Sequence, residues 1–142
     1  MKISVQSQNL VDQYGVEQAY GMIARAGFEA VDWNIDHAWN FAEVRAAKNP
    51  EGLCIFEKPM EEILAYYADE LDAMKRNGLT IAQAHAPFGA YAYENPAVLD
   101  YAIEIYKKII AFCAEVGCPK LVVHGISKSE LMPELTVLPL RP

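Results

Sequence analysis

The sequence has few cysteines, no long apolar run and no concentration of positive charge. Its 142 residues include three cysteines, Cys54, Cys113 and Cys118, and no C-x-x-C motif. An odd number of cysteines without such a motif is typical of reduced thiols, so we expect a cytoplasmic protein. No run of roughly 18 apolar residues is present to span a bilayer. The N-terminus also lacks the apolar segment of a signal peptide.

The charge balance excludes some classes of partner. The chain carries 19 acidic and 12 basic side chains, which gives a net charge of −7. A protein that binds duplexes through phosphate contacts normally presents a basic face, and no Lys/Arg cluster occurs here. The same charge repels an anionic membrane surface. We therefore expect neither a nucleic-acid nor a membrane partner.

What the sequence does contain is an alternation of apolar strands with helical segments. Strands are predicted at 2–6, 28–35, 79–84 and 120–124. The intervening helices begin near residues 16, 59 and 96, and each ends at a glycine: Gly27, Gly78 and Gly117. Glycine adopts the left-handed conformation that closes many helices. The alternation predicts an α/β fold whose four strands are parallel, in the order 1-2-3-4, with the helices on one face.

The helical spacing also predicts apolar rows along two of the helices. In the helix after residue 59, the predicted buried stripe is Ile63, Leu64, Tyr67, Leu71 and Met74. In the helix after residue 96, one of two apolar rows is Leu99, Ile103, Tyr106, Ile110 and Cys113. We interpret Cys113 as core packing. Residues 41–47 are predicted to form a short helix, and the proline-rich residues 126–142 an irregular tail.

Polar side chains lie at the predicted carboxyl ends of the strands, where parallel α/β proteins bind ligands. The first strand ends at Gln6 and the second carries Asp32 and Trp33. His85 follows the third strand directly, and the fourth ends at His124. Imidazole serves as a metal ligand, a proton carrier or a hydroxyl partner near neutral pH. Two histidines on adjacent strands favour a binding site over two separately satisfied polar groups. For Asp32 a solvated position stays open, and for Trp33 ordinary covering of the sheet end stays open.

Three motifs resemble the sugar phosphate isomerase/epimerase family, whose members are xylose-isomerase-like TIM barrels. They are residues 26–32 (AGFEAVD), with Asp32 where Glu is commoner, residues 84–88 (AHAPF) and residues 118–125 (CPKLVVHG). The resemblance extends from residue 1 to residue 125. It implies the N-terminal half of a TIM barrel, with parallel strands 1–4 and the helices on the outer face. Residues 1–125 would be this partial domain.

The resemblance also implies an activity. In such enzymes a carboxylate moves a proton next to a carbonyl, and a divalent metal (Mn, Mg, Co or Zn) stabilises the enediolate. A sugar or sugar phosphate would be bound by His85, His124, Trp33, Asp32 and Gln6. The family holds its metal and its acid–base pair on strands five to eight. We therefore expect a truncated, inactive chain that contains no catalytic residue and binds metal weakly or not at all.

Two alternatives stay open. One is a metal-dependent phosphodiesterase like the type IV apurinic endonucleases, in which His85 and His124 would be metal ligands. The acidic net charge counts against it. The other is a non-catalytic half-barrel that binds a partner or itself. Such a half-barrel leaves its first and fourth strands with unpaired edges, which predicts a homo-oligomer.

Overall fold

The computed structural model describes residues 2–35, 55–86 and 96–123, apart from the side chains of 96–99, 101 and 102. The predicted helix at 41–47 and the predicted tail at 126–142 lie outside these ranges. The elements are β1 Ser4–Gln6, α1 Gln8–Tyr14, α2 Val16–Arg25, β2 Ala30–Asn34, a 3₁₀-helix Ile55–Glu57, α3 Met60–Tyr66, α4 Ala68–Arg76, β3 Thr80–His85, α5 Pro96–Glu115 and β4 Leu121–Val122. No helix in these ranges is both long and apolar enough to cross a bilayer.

The four described strands form one parallel sheet in the order β1-β2-β3-β4, which confirms the predicted α/β fold and strand order. The pairing of β2 with β3 is irregular between Val31 and Asp32. Val31 lies opposite Ile81, whereas Asp32 lies opposite Gln83, so Ala82 is an extra residue. A shift of one residue moves a side chain to the other face of a sheet. The irregularity therefore places Asp32 and Gln83 side by side.

The core lies between the helices and one face of the sheet. From the sheet, Val31, Trp33 and Ala84 are fully buried there. From the helices, the largest side chains in the same cluster are Tyr20, Ile23, Ile63, Tyr67, Met74, Ile109 and Phe112. Because residues alternate along a strand, Asp32 and Gln83 belong to the opposite face. Both are only partly buried. The described helices thus pack on the apolar face, and Asp32 and Gln83 stay partly exposed on the opposite face.

Glycines end three helices, as predicted. Gly27, Gly78 and Gly117 follow α2, α4 and α5, with φ values of 88°, 68° and 72°. Residues with a Cβ atom rarely adopt this left-handed conformation, so glycine permits each chain reversal into the next strand. The loops that lead into β2, β3 and β4 therefore each begin with a glycine in the left-handed conformation.

Two helical features differ from the prediction. Helix α1 has no counterpart among the predicted elements, because it contains no buried residue and hence no periodic apolar stripe. The single helix predicted between residues 59 and 78 is two helices, α3 and α4, with Tyr67 between them at φ −93° and ψ 3°. The stripe itself is confirmed in part, since Ile63, Tyr67 and Met74 are buried.

Helix α5 was predicted to carry two apolar rows, and the row that includes Ile103 and Ile110 is not buried throughout. Ile103 and Ile110 are 43% and 56% exposed, whereas Ile105 and Ile109 are buried beside Cys113. Helix α5 has apolar residues on more than one face, and such a pattern does not specify a single buried stripe. Packing against the 3₁₀-helix and α3 determines which row is covered. The burial of Cys113 is as predicted.

Candidate functional site

Asp32, Gln83 and His85 form a polar cluster at the carboxyl ends of β2 and β3. The Gln83 side-chain amide donates to Asp32 Oδ2 at 3.0 Å, and His85 Nε2 lies 3.2 Å from the same oxygen. Asp32 and His85 are 20% and 19% exposed, so both are accessible from the polar face of the sheet. Two donors directed at one carboxylate oxygen fix the orientation of the carboxylate, and the carboxylate in turn orients the imidazole.

The second oxygen of Asp32 is in a different environment. Oδ1 is buried and has no hydrogen-bond partner among the described residues. An unpaired buried acceptor is unfavourable, and such groups are concentrated at functional sites. Within the described residues, Asp32 therefore combines one oxygen that has hydrogen-bond partners with one that has none. The predicted alternative of a fully solvated Asp32 does not describe this position.

Gln6 lies beside this cluster. It is opposite Asp32 in the pairing of β1 with β2 and is exposed. Paired residues of neighbouring strands project to the same face. The structure thus brings Gln6, Asp32 and His85, all predicted site residues, to one end of one face. His124, the fourth predicted rim residue, lies outside the described residues.

Trp33 is placed differently from the prediction. Its side chain is fully buried, with its ring centroid 5.2 Å from that of Tyr67 and 5.7 Å from that of Phe112. Trp33 adjoins Asp32 on β2 and therefore projects to the opposite face, toward the helices. The ring offers no surface to a ligand. Its predicted place in a sugar site is thus corrected to a central position in the core.

A buried polar network beneath the sheet was not predicted. Glu70 is 8% exposed, and its Oε2 accepts hydrogen bonds from the Tyr20 hydroxyl at 2.6 Å and from the Trp33 indole N–H at 2.9 Å. Burial, followed by the negative charge of Glu70, raises the pKa of Tyr20 above its ordinary value. The spacing of Glu70 from Tyr67 and Met74 places this acid on the buried stripe of its helix. That position was the signal in the sequence for a buried carboxylate.

Metal ligands are sparse in the described ranges. Residues 2–35, 55–86 and 96–123 contain no group of three or more His, Cys, Asp or Glu side chains that could hold a metal ion. Asp32 and His85 supply two donors, whereas zinc sites usually have three or four protein ligands. The described residues therefore do not match the divalent metal of the resembled family. The predicted weak binding stays a prediction.

Comparison with known proteins adds no assignment. No family model matches the chain, and a search of curated proteins finds no match. A functional proposal for this chain therefore rests on its fold, its side-chain geometry and the resemblance of its sequence motifs.

Proposed function

We propose that the chain is the first half of a xylose-isomerase-like barrel and that its polar face binds the hydroxyl groups of a sugar or sugar phosphate. The family in question is that of the sugar phosphate isomerases and epimerases. The observation that carries the proposal is the contact of His85 and Gln83 with one oxygen of Asp32, at the carboxyl ends of two adjacent parallel strands.

The chemistry of this cluster suits a polyhydroxylated ligand. A carboxylate accepts hydrogen bonds from hydroxyl groups, and the side chains of Gln6 and Gln83 can both donate and accept. These groups are fixed by strands rather than by loops, which limits the entropy lost on binding. The carboxyl ends of the strands are also where ligands bind in parallel α/β folds.

In this proposal the described residues bind and orient the ligand. Proton transfer next to a carbonyl would need the acid–base pair that the resemblance places on strands five to eight. No step is assigned to a metal, because the described donors do not match a metal site. Binding, rather than turnover, is therefore the property to measure on the 142-residue chain.

Sugar binding should depend on the charge of Asp32. We expect saturation-transfer NMR with a panel of pentuloses, hexuloses and their phosphates to detect binding by the natural chain. Asp32→Asn keeps the shape of the side chain and removes its charge. Hydrogen bonds to a charged group contribute about 1.5–3 kcal/mol, so the variant should bind at least about tenfold more weakly.

The matched control is Asp72→Asn, which alters an exposed carboxylate on α4 rather than on the sheet. It should bind like the natural chain. Equal weakening in both variants, or no binding of any sugar, would contradict the proposal. Tight stoichiometric zinc binding that is lost in His85→Ala, together with DNA binding, would instead favour the endonuclease-like alternative.

Self-association is a second candidate property, and the edges of the sheet favour it. Among the described residues, β1 pairs only with β2, and β4 pairs only with β3. Apolar side chains are exposed beside both outer strands, with Ile3 60% and Val123 49% accessible. Unpaired edges promote pairing with another copy. We expect light scattering at micromolar concentration to show a dimer or larger species. A cooperative monomer that does not bind a hydrophobic dye would refute this.

A further inference from the structure

Helix α5 leaves one apolar flank exposed. Ile103 and Ile110 are 43% and 56% exposed, although the same helix buries Ile105 and Ile109. The two exposed isoleucines lie two helical turns apart, so their side chains project from the same flank at a spacing of about 10 Å along the axis. Apolar side chains that form an exposed row, unlike single ones, indicate a contact surface.

The direction of this flank follows from the contacts on the other side of α5. Lys108 Nζ donates to the backbone carbonyl oxygens of Glu57 and Lys58, at 3.2 Å each. Lys108 therefore lies on the side of α5 that faces the 3₁₀-helix. Each residue of a helix turns by about 100°, which places Ile103 and Ile110 across the buried row from Lys108. The exposed flank thus faces away from the 3₁₀-helix.

The chain runs toward this flank when it leaves the sheet. Helix α5 connects β3 to β4, the last described strand in the order β1-β2-β3-β4. Val123, directly after β4, is 49% exposed. Successive connections in parallel α/β folds run over the same face of the sheet in a right-handed sense. This rule directs the segment after β4 along α5, on the side away from the 3₁₀-helix.

We propose that residues 126–142 of the same chain pack on the surface formed by Ile103, Ile110 and Val123. The segment begins three residues after Val123. At roughly 3.3 Å per residue, even a short stretch of it spans the exposed row. Its prolines exclude a long helix, so it packs as an irregular strap. Among its apolar side chains are Leu131, Leu135, Val137, Leu138 and Leu140.

Attachment to the same chain favours this occupant over a second copy. A segment tethered a few residues from the surface has an effective concentration of roughly millimolar. A second copy at micromolar concentration therefore competes at a disadvantage of about a thousandfold. The proposal does not depend on sugar binding. It also leaves the edge of β1, where Ile3 is exposed, available for self-association.

Photo-cross-linking from α5 identifies the occupant. The full chain with Ile110→benzoylphenylalanine is irradiated at micromolar concentration and digested with trypsin. We expect a product of monomer mass in which residues 109–120 are joined to residues 129–142, a tryptic peptide of the proposed strap. A product of twice the mass would show that a second copy occupies the surface instead. A cross-link to another segment of the same chain, or no cross-link, would equally overturn the proposal.

A probe on the other flank is the matched control. Ala111 is exposed and lines a cleft with Phe56 and Lys108, on the side of the 3₁₀-helix. Ala111→benzoylphenylalanine should therefore not label residues 129–142. Equal labelling from positions 110 and 111 would mean that the segment has no defined place on α5, which contradicts the proposal.

Substitutions in the segment test whether apolar contact holds it. In the chain with Ile110→benzoylphenylalanine, Leu135→Ser together with Leu138→Ser should lower the cross-link yield at least about tenfold, because each buried leucine strengthens a contact by about that factor. Glu130→Gln alters no apolar side chain and should leave the yield unchanged. An unchanged yield in the double leucine variant would show that the isoleucine row does not bind this segment.

Discussion

The Glu70→Ala variant should unfold at a markedly lower urea concentration than the natural chain, with a loss of about 2–6 kcal/mol in the free energy of unfolding. Each buried donor left without an acceptor costs about 1–3 kcal/mol, and this change strands two of them. They are the Tyr20 hydroxyl and the Trp33 indole N–H, which both donate to Glu70 Oε2. Small domains are stable by only about 5–15 kcal/mol. The loss would be readily measured by circular dichroism.

Three further substitutions test this explanation. Glu70→Gln keeps an acceptor oxygen and should lose less stability than Glu70→Ala. Glu62→Ala removes an exposed carboxylate from α3 and should change stability little. Tyr20→Phe should cost less in the Glu70→Ala background than in the natural chain, because the hydrogen bond is already gone. Similar losses in Glu70→Ala and Glu62→Ala would show that the buried network is not a source of stability.

The features that were predictable from sequence are those that depend on local chemistry. Gly27, Gly78 and Gly117 mark helix ends because a left-handed residue is required there, whatever the rest of the fold does. Alternation of strands and helices then limits the sheet to parallel pairing with right-handed crossovers. The strand order follows from these two constraints, and the structure has that order.

The features that were not predictable depend on contacts between distant residues. The buried side of α5 is chosen by what packs on it, so the apolar Ile110 is exposed while the adjacent Ile109 is buried. Trp33 and Asp32 are neighbours on β2, so their side chains project to opposite faces of the sheet. The face that carries Trp33 is the one that the helices cover, and the sequence located those helices only approximately.

The residues of the candidate site were likewise predictable only in part. Asp32 and His85 were identified because they lie near strand ends, which the sequence indicates directly. Gln83 was missed, although it lies two residues before the end of β3, as Asp32 does in β2. Its position opposite Asp32 depends on the irregular pairing at Ala82, and no residue type in β3 signals that irregularity.

Alkaline pH should destabilise the chain through Tyr20. Burial and the charge of Glu70 raise the pKa of Tyr20 above its ordinary value of 10.0. Above that pH the unfolded chain releases the phenolic proton while the folded chain keeps it. The unfolded state then binds fewer protons, so stability falls as pH rises. One proton contributes up to about 1.4 kcal/mol per pH unit.

Two conservative variants isolate this contribution, because other groups also titrate at high pH. Tyr20→Phe should be less stable than the natural chain at pH 7, where it lacks the hydrogen bond to Glu70, and its stability should decline less steeply above pH 10.0. Tyr66→Phe alters a tyrosine that is 53% exposed. Its stability should decline with pH in parallel with that of the natural chain. Urea unfolding between about pH 9 and 12 gives the three slopes. If the stability of Tyr20→Phe declined with pH as steeply as that of the natural chain, the buried phenol would not be the source of the alkaline instability.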